Sequence, residues 1–293
     1  MTTQLLLHFD DELPLACKLA DATGMALACV QRHVFPDGEI KLQLPGSLPP
    51  QVVLLRSLHQ PNDKLIELLL AARTARTLGA QHLTLVAPYM AYMRQDIAFH
   101  PGEAVSQQIV GQFLAGLFDA VITVDPHLHR VSRLQQAIPT PQALALTAAP
   151  LLADFVFTQC PDALLVGPDE ESEQWITAAA KAHQLDHAVC RKTRHGDRHV
   201  DVELPDVNVT GRAVVLLDDI ASSGHTLAQA AQLLLRAGAR SVDVAVTHAL
   251  FGGDALAVVK GAGVNHIWST DAVRHDSNCV SVAGLVASAL RQI

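Results

Sequence analysis

Positive charge is scarce in this chain of 293 residues: 21 Lys and Arg stand against 29 Asp and Glu, a formal net charge of −8. With no basic footprint to neutralise a phosphate backbone, nucleic acid is excluded as a partner. A small anion gripped by local loops is not excluded. Cysteine is sparse as well. Cys17, Cys29, Cys160, Cys190 and Cys279 are odd in number, scattered and free of any Cys-x-x-Cys pair, which argues against a disulfide framework and fits reduced thiols in the cytoplasm. Long apolar runs are missing too. The candidate "LIELLLAA" at 65–72 is interrupted by Glu67, so no membrane span is expected. The start of the chain lacks a basic region followed by an apolar core, and no signal peptide is expected.

What the chain does contain is Ala, Leu and Val in a regular alternation. Short apolar runs such as "QVVLLRS", "LTLVAPY" and "AVITVD" are separated by amphipathic stretches of helical length, one from about Ala104. Strands apolar on both faces and followed by helices predict an α/β fold with a mainly parallel sheet covered on both sides. The order recurs: "VVLLRSLHQPNDKLIELLLAARTARTLGAQHLTLVAPY" from Val52 parallels "VVLLDDIASSGHTLAQAAQLLLRAGARSVDVAVTHAL" from Val214. Both read strand, polar loop, Leu-rich helix, Gly-Ala stop, strand, which predicts two similar domains. The prolines of "IPTPQALALTAAP" put the boundary there, giving domains 1–145 and 146–293.

Only the second copy carries paired acids. In "AVVLLDDIASSGHTL" at 213–227 an apolar strand ends in Asp218 and Asp219, and a loop of Ser222, Ser223, Gly224, His225 and Thr226 leads to a helix expected near Leu227. Ligands of open α/β sheets bind at the carboxyl ends of strands, where helix N-termini present free N–H groups. Hydroxyls and amides suit a phosphate monoester, and adjacent carboxylates suit vicinal hydroxyls or a divalent cation. Together they describe a sugar phosphate. The bland alternative is that the hydroxyls merely cap the helix.

Five other segments bear on the ligand. "FPDGEIKLQLP" at 35–45 is a hairpin turn around Asp37-Gly38. "APYMAYMRQDIAFHPGEAVS" at 87–106 has a strand expected to end at Tyr89 and a loop presenting Arg94, a planar cation suited to phosphate oxygens. "VDPHLHR" at 124–130 puts Asp125 and His127 after a strand, and "LLVGPDEES" at 164–172 does the same with Asp169. "CRKTRHGDRHV" at 190–200 spaces Lys192 and Arg194 so that both point the same way on an extended chain. His183 and His187 stand four apart on an expected helix without further ligands nearby.

In order, spacing and identity these segments resemble the ribose-phosphate pyrophosphokinase family, in the archaeal-type form with a Lys-Thr-Arg loop, over nearly the whole chain. The resemblance implies two type I phosphoribosyltransferase-like domains. It implies transfer of a diphosphoryl group from ATP to the 1-hydroxyl of ribose 5-phosphate, giving AMP and phosphoribosyl pyrophosphate for nucleotide, His and Trp biosynthesis. Lys192 and Arg194 are then catalytic; Phe35, Asp37, Gly38, Glu39, Arg94 and Gln95 hold ATP; and Asp218, Asp219, Ser222, Ser223, Gly224, His225 and Thr226 hold ribose 5-phosphate. His127 and Asp169 serve magnesium, and a homo-oligomer shares the ATP site through the 35–39 hairpin. A phosphoribosyltransferase shares 213–227 but needs neither "FPDGE" nor two domains, and a non-catalytic paralogue should lose the cations that Lys192 and Arg194 retain.

Overall fold

The computed structural model describes residues 4–128, 130–195, 199–205 and 207–293. The chain divides into two compact units, one of Met1–Leu146 with Val282–Ile293 and the other of Thr147–Ser281. The last twelve residues, expected in the second domain, therefore belong to the first. Their helix packs on the first helix and the last strand of that unit.

The first unit runs β1 (Gln4–His8), α1 (Leu13–Thr23), β2 (Ala26–Cys29), a hairpin of β3 (Gln31–Val34) and β4 (Ile40–Gln43), β5 (Gln51–Leu55), α2 (Pro61–Thr77), β6 (His82–Val86), α3 (Ser106–Ala115), β7 (Ala120–Val124), α4 (Leu134–Ala137) and β8 (Gln142–Leu146). The second runs α5 (Ala149–Gln159), β9 (Leu164–Gly167), α6 (Glu173–His183), β10 (His187–Val189), a hairpin of β11 (Arg191–His195) and β12 (His199–Glu203), β13 (Ala213–Ala221), α7 (His225–Arg236), β14 (Ser241–Ala249), α8 (Ala255–Gly261), β15 (Ile267–Thr270) and β16 (Asn278–Val280). The chain then returns to the first unit as α9 (Ala283–Leu290).

The strand orders are β2-β1-β5-β6-β7-β8 and β10-β9-β13-β14-β15-β16, all pairings parallel, with each hairpin lying in sequence between the edge strand and the third strand. The second order is the first displaced by eight strands, so the repeat seen in the sequence is a repeat of topology. Shared details reach the helix ends. After α2 the Ala80 N–H bonds the Ala75 carbonyl, and after α7 the Ala239 N–H bonds the Leu234 carbonyl, each across a glycine of positive φ (Gly79 at 115°, Gly238 at 94°). These are the Gly-Ala stops, closed by the six-to-one bond that a left-handed residue permits.

Burial follows a period of two along β13. Val214 and Leu216 join the core under α7 and α8, while Val215 and Leu217 join the core under α5 and α6. His183 ends α6 and pairs with Asp154, whereas His187 opens β10. The two histidines expected on one helix therefore lie on different elements.

At the carboxyl edge of the first sheet sits a closed charge cluster. Arg56, directly after β5, is fully buried, with its guanidinium 4.4 Å from the Phe9 ring centroid and in ion pairs with Asp11 (2.6 Å), Glu12 (3.4 Å) and Glu67 (2.6 Å). Lys64 of α2 donates to the Ser57 carbonyl at 2.7 Å. Burial and then the neighbouring Arg56 lower its pKa to about 8. Because the unfolded chain keeps this proton up to the usual lysine value near 10.5, it binds more protons than the folded protein between these limits, and stability contributed here rises with pH across that window. Lys64→Met should remove this rise, read as the difference between wild type and variant in urea midpoint at the two ends of the window.

Candidate active site

β13 does not stop at Leu217 but continues to Ala221, paired with β14 as far as Ala221 opposite Ala249. Asp218 and Asp219 thus belong to the strand. Asp219 is 3 % exposed and Asp218 is partly buried, and the Asp219 N–H donates to Asp218 Oδ1 at 3.0 Å. A third carboxylate stands close by. Asp169 follows the neighbouring strand β9, is buried, and caps the single 3₁₀ turn Glu170–Ser172 by accepting the Glu171 N–H at 3.1 Å. Burial first, then Asp219, then Asp169 hold the Asp218 pKa well above the usual carboxylate range. The structure therefore gathers the metal candidate Asp169 with the sugar candidates Asp218 and Asp219, which sequence spacing alone had left apart.

The repeat makes the sign of this charge informative. Leu5 pairs with Val52 and Leu164 with Val214, so Arg56 and Asp218 occupy the same place after the same four core residues. In the first unit that place holds a cation that neutralises its acids. In the second it holds another acid, and the charges of Asp219 and Asp169 act on it with the same sign.

Next to the acids lies an open helix start. α7 begins at His225, two residues earlier than expected, after Gly224 at φ 74°. Among the described residues no side chain caps it, so Ser222, Ser223 and Thr226 do not serve as caps and the first-turn amides face outward. A Cβ at Gly224 would stand 2.7 Å from Val259 Cγ2 and 3.0 Å from the Ala255 carbonyl oxygen. Glycine is needed for both conformation and space. The Gly252 N–H bonds the Ser222 carbonyl at 3.1 Å and fixes the loop from the other side. Amides, hydroxyls and the positive end of a twelve-residue helix make an anion cradle.

The first unit, taken by itself, carries two loop groups named in the sequence. In the β3–β4 hairpin the Gly38 N–H bonds the Phe35 carbonyl and Asp37 Oδ1 accepts the Glu39 N–H at 3.2 Å, leaving the Phe35 ring 40 % exposed, edge-on to His33. β6 ends at Val86 and not at Tyr89, and the loop beyond it presents Arg94, exposed and with no partner among the described residues. The Gln95 amide instead donates within the loop to Glu103 Oε2 (3.1 Å) and the Ile97 carbonyl (3.1 Å). Glu103 also accepts from the Phe99 N–H and His100, contacts that lower its pKa, chiefly the one to His100.

Two residues without a role in the sequence reading connect these loops. Buried Asp96 pairs with Arg130 at 2.5 Å, and the Arg130 guanidinium lies 5.8 Å from the Phe99 ring centroid. The Arg94–Gln95 loop is thereby tied to the loop that follows β7 and carries His127, where Asp125 is buried at φ 37°. Arg-Gln-Asp hinted at Asp96; nothing in the sequence singled out Arg130. His127 belongs to the first unit and Asp169 to the second. Among the described residues, no group of three or more His, Cys, Asp or Glu forms a ready metal cage. Lys192 and Arg194 lie on β11, opposite Val202 and Val200, and their side chains fall outside the described residues.

Comparison with known proteins agrees along the chain. Residues 5–117 match a family model described as the N-terminal domain of ribose phosphate pyrophosphokinase, and residues 139–262 match the phosphoribosyl transferase domain. A ribose-phosphate pyrophosphokinase of Methanopyrus kandleri is 32 % identical over 293 residues, covering 99 % of both chains. Ribose-phosphate pyrophosphokinase 1 of Archaeoglobus fulgidus is 35 % identical over 280 residues, covering 94 % of this chain and 96 % of its own. The crystal structure of phosphoribosylpyrophosphate synthetase from Mycobacterium smegmatis shares the fold, with a TM-score of 0.82 at 24 % identity over 99 % of this chain and 98 % of that one.

Because Gly224 combines positive φ with close neighbours, Gly224→Ala should lower stability by about 1–3 kcal/mol. Urea denaturation should show the midpoint falling with an unchanged m-value.

Proposed function

The chain belongs to the ribose-phosphate pyrophosphokinase family, and from that premise we propose how its residues make phosphoribosyl pyrophosphate from ATP and ribose 5-phosphate. The observation that carries the reading is the gathering of Asp169, Asp218 and Asp219 beside the open start of α7. One ligand meets both needs: its 5-phosphate accepts from the amides and hydroxyls of 222–226, and its vicinal hydroxyls donate to Asp218 and Asp219. The 1-hydroxyl oxygen then attacks the β-phosphorus of ATP. The bond from that phosphorus to the α,β-bridging oxygen breaks, AMP leaves with the electron pair, and the proton of the 1-hydroxyl passes to solvent.

Such a transfer needs alignment and charge neutralisation more than covalent assistance from the protein. Arg94 suits the ATP phosphates, and Gln95 would first exchange its bond to Glu103. Phe35 offers a face for the base while Asp37, Gly38 and Glu39 meet its edge. Lys192 and Arg194 would flank the group in flight and stabilise its developing charge. Hard oxygen donors crowded around Asp218, without a closed cage, fit a cation that arrives with phosphate and keeps much of its water. Asp169 and His127 are the residues assigned to magnesium, which when bound supplies neutralisation of phosphate charge. A homo-oligomer in which the hairpin completes a neighbour's ATP site is part of this reading, supported by the exposure of Phe35 and Val34. So is a cytoplasmic setting, supported by five free cysteines.

With ATP, magnesium and ribose 5-phosphate, AMP should appear in step with phosphoribosyl pyrophosphate; release of ADP, or no turnover, contradicts the assignment. Lys192→Ala should lower kcat by about 100–1000-fold, the loss of one transition-state donor, with ribose 5-phosphate binding retained. Asp219→Asn should raise the KM for ribose 5-phosphate about tenfold through one charge-assisted hydrogen bond, with the KM for ATP unchanged.

A further inference from the structure

The β3–β4 hairpin carries Phe35, Asp37 and Glu39, yet β3 is exposed along its whole length. Isolated two-stranded hairpins are marginal in water, so its pose depends on what holds it to the unit. On β4, Leu42 packs against the core. A groove of about 520 Å³, bordered by Gly38, Glu39, Ile66 and Leu70, separates the hairpin from α2. Among the described residues, Arg32 of β3 pairs with Glu67 of α2 across it.

Glu67 is a fixed point. It is 1 % exposed in mid-helix, and its buried charge is offset by two guanidiniums, those of Arg32 and Arg56. Arg56 is itself wholly buried, pinned by Asp11 and lying against Phe9. A carboxylate held this way cannot follow a drifting hairpin, because separation from its partners leaves an uncompensated charge in the interior. The position of the core is thus passed along Arg56, Glu67 and Arg32 to the hairpin.

The repeat supplies a second argument. Val30 N–H bonds the His8 carbonyl in the first unit and Cys190 N–H bonds the Gly167 carbonyl in the second, so Arg32 and Lys192 are both second after an equivalent residue. Where the second unit places its candidate catalytic cation, the first places one already neutralised by its own helix. Arg32 is therefore committed to structure and not to phosphate.

We propose that the Arg32–Glu67 pair is the positioning device that sets the hairpin's pose and, through it, affinity for the base of the nucleoside triphosphate. This rests on the reading of Phe35, Asp37 and Glu39 as base contacts. Neither member of the pair touches a reacting atom.

The test measures ATP binding by calorimetry, beside steady-state kinetics and thermal unfolding, for wild type, Arg32→Leu, Arg32→Lys and Glu67→Gln. Arg32→Leu leaves Glu67 paired with Arg56 and keeps the fold. It should weaken ATP binding about tenfold, the loss of one charge-assisted contact, with kcat and ribose 5-phosphate affinity unchanged. Arg32→Lys should recover part of the loss, and Glu67→Gln should weaken ATP binding in the same way. Unchanged ATP affinity in Arg32→Leu, or a fall in kcat at constant affinity, overturns the positioning role. If wild type binds ATP but forms no AMP, the diphosphoryl-transfer reading fails, and the binding comparison still decides this inference. If wild type binds no ATP, both are wrong.

Discussion

Repulsion among Asp169, Asp218 and Asp219 is the constraint around which the second unit is arranged. Burial first, then the charges of Asp219 and of Asp169 after the neighbouring strand, hold Asp218 well above its ordinary range. The open start of α7 and the hydroxyl loop face the same strand edge, so the strand that concentrates negative charge leads directly into the cradle that attracts it in a ligand.

The first unit shows the same architecture with the charge problem solved internally. Arg56 stands where Asp218 stands, and its contacts with Asp11, Glu12, Glu67 and Phe9 close the cluster into a rigid core element. A buried ionic network of this kind contributes little net stability against an apolar equivalent, but it specifies geometry, because every partner must be in place for the charges to balance. The same topology thus carries a cation among acids at one carboxyl edge and an acid among acids at the other. The two hairpins follow the same logic, with Arg32 held by its helix at the position where the other unit carries Lys192.

Periodicity and local chemistry determined a great deal about this protein. Strands apolar on both faces gave parallel sheets, the Gly-Ala stops gave the helix ends, and the paired acids before a Ser-Ser-Gly loop marked a candidate ligand loop, because each is a property of neighbouring residues. Strand and helix limits shifted at the site itself: β13 runs on through both acids because pairing with β14 continues, and α7 starts early because Gly224 turns left-handed against Val259 and Ala255.

Tertiary structure alone decided which charges meet. Arg56 finds Asp11 across 45 residues and Asp96 finds Arg130 across 34, and no local pattern encodes either pairing. The closing helix α9 joins the first unit for the same reason: its partner faces on α1 and β8 exist only after the sheet has formed. Sheet order and register bring distant strand ends side by side, so the sequence by itself named the candidate groups, and the fold determined which charges of opposite sign meet and which acids gather.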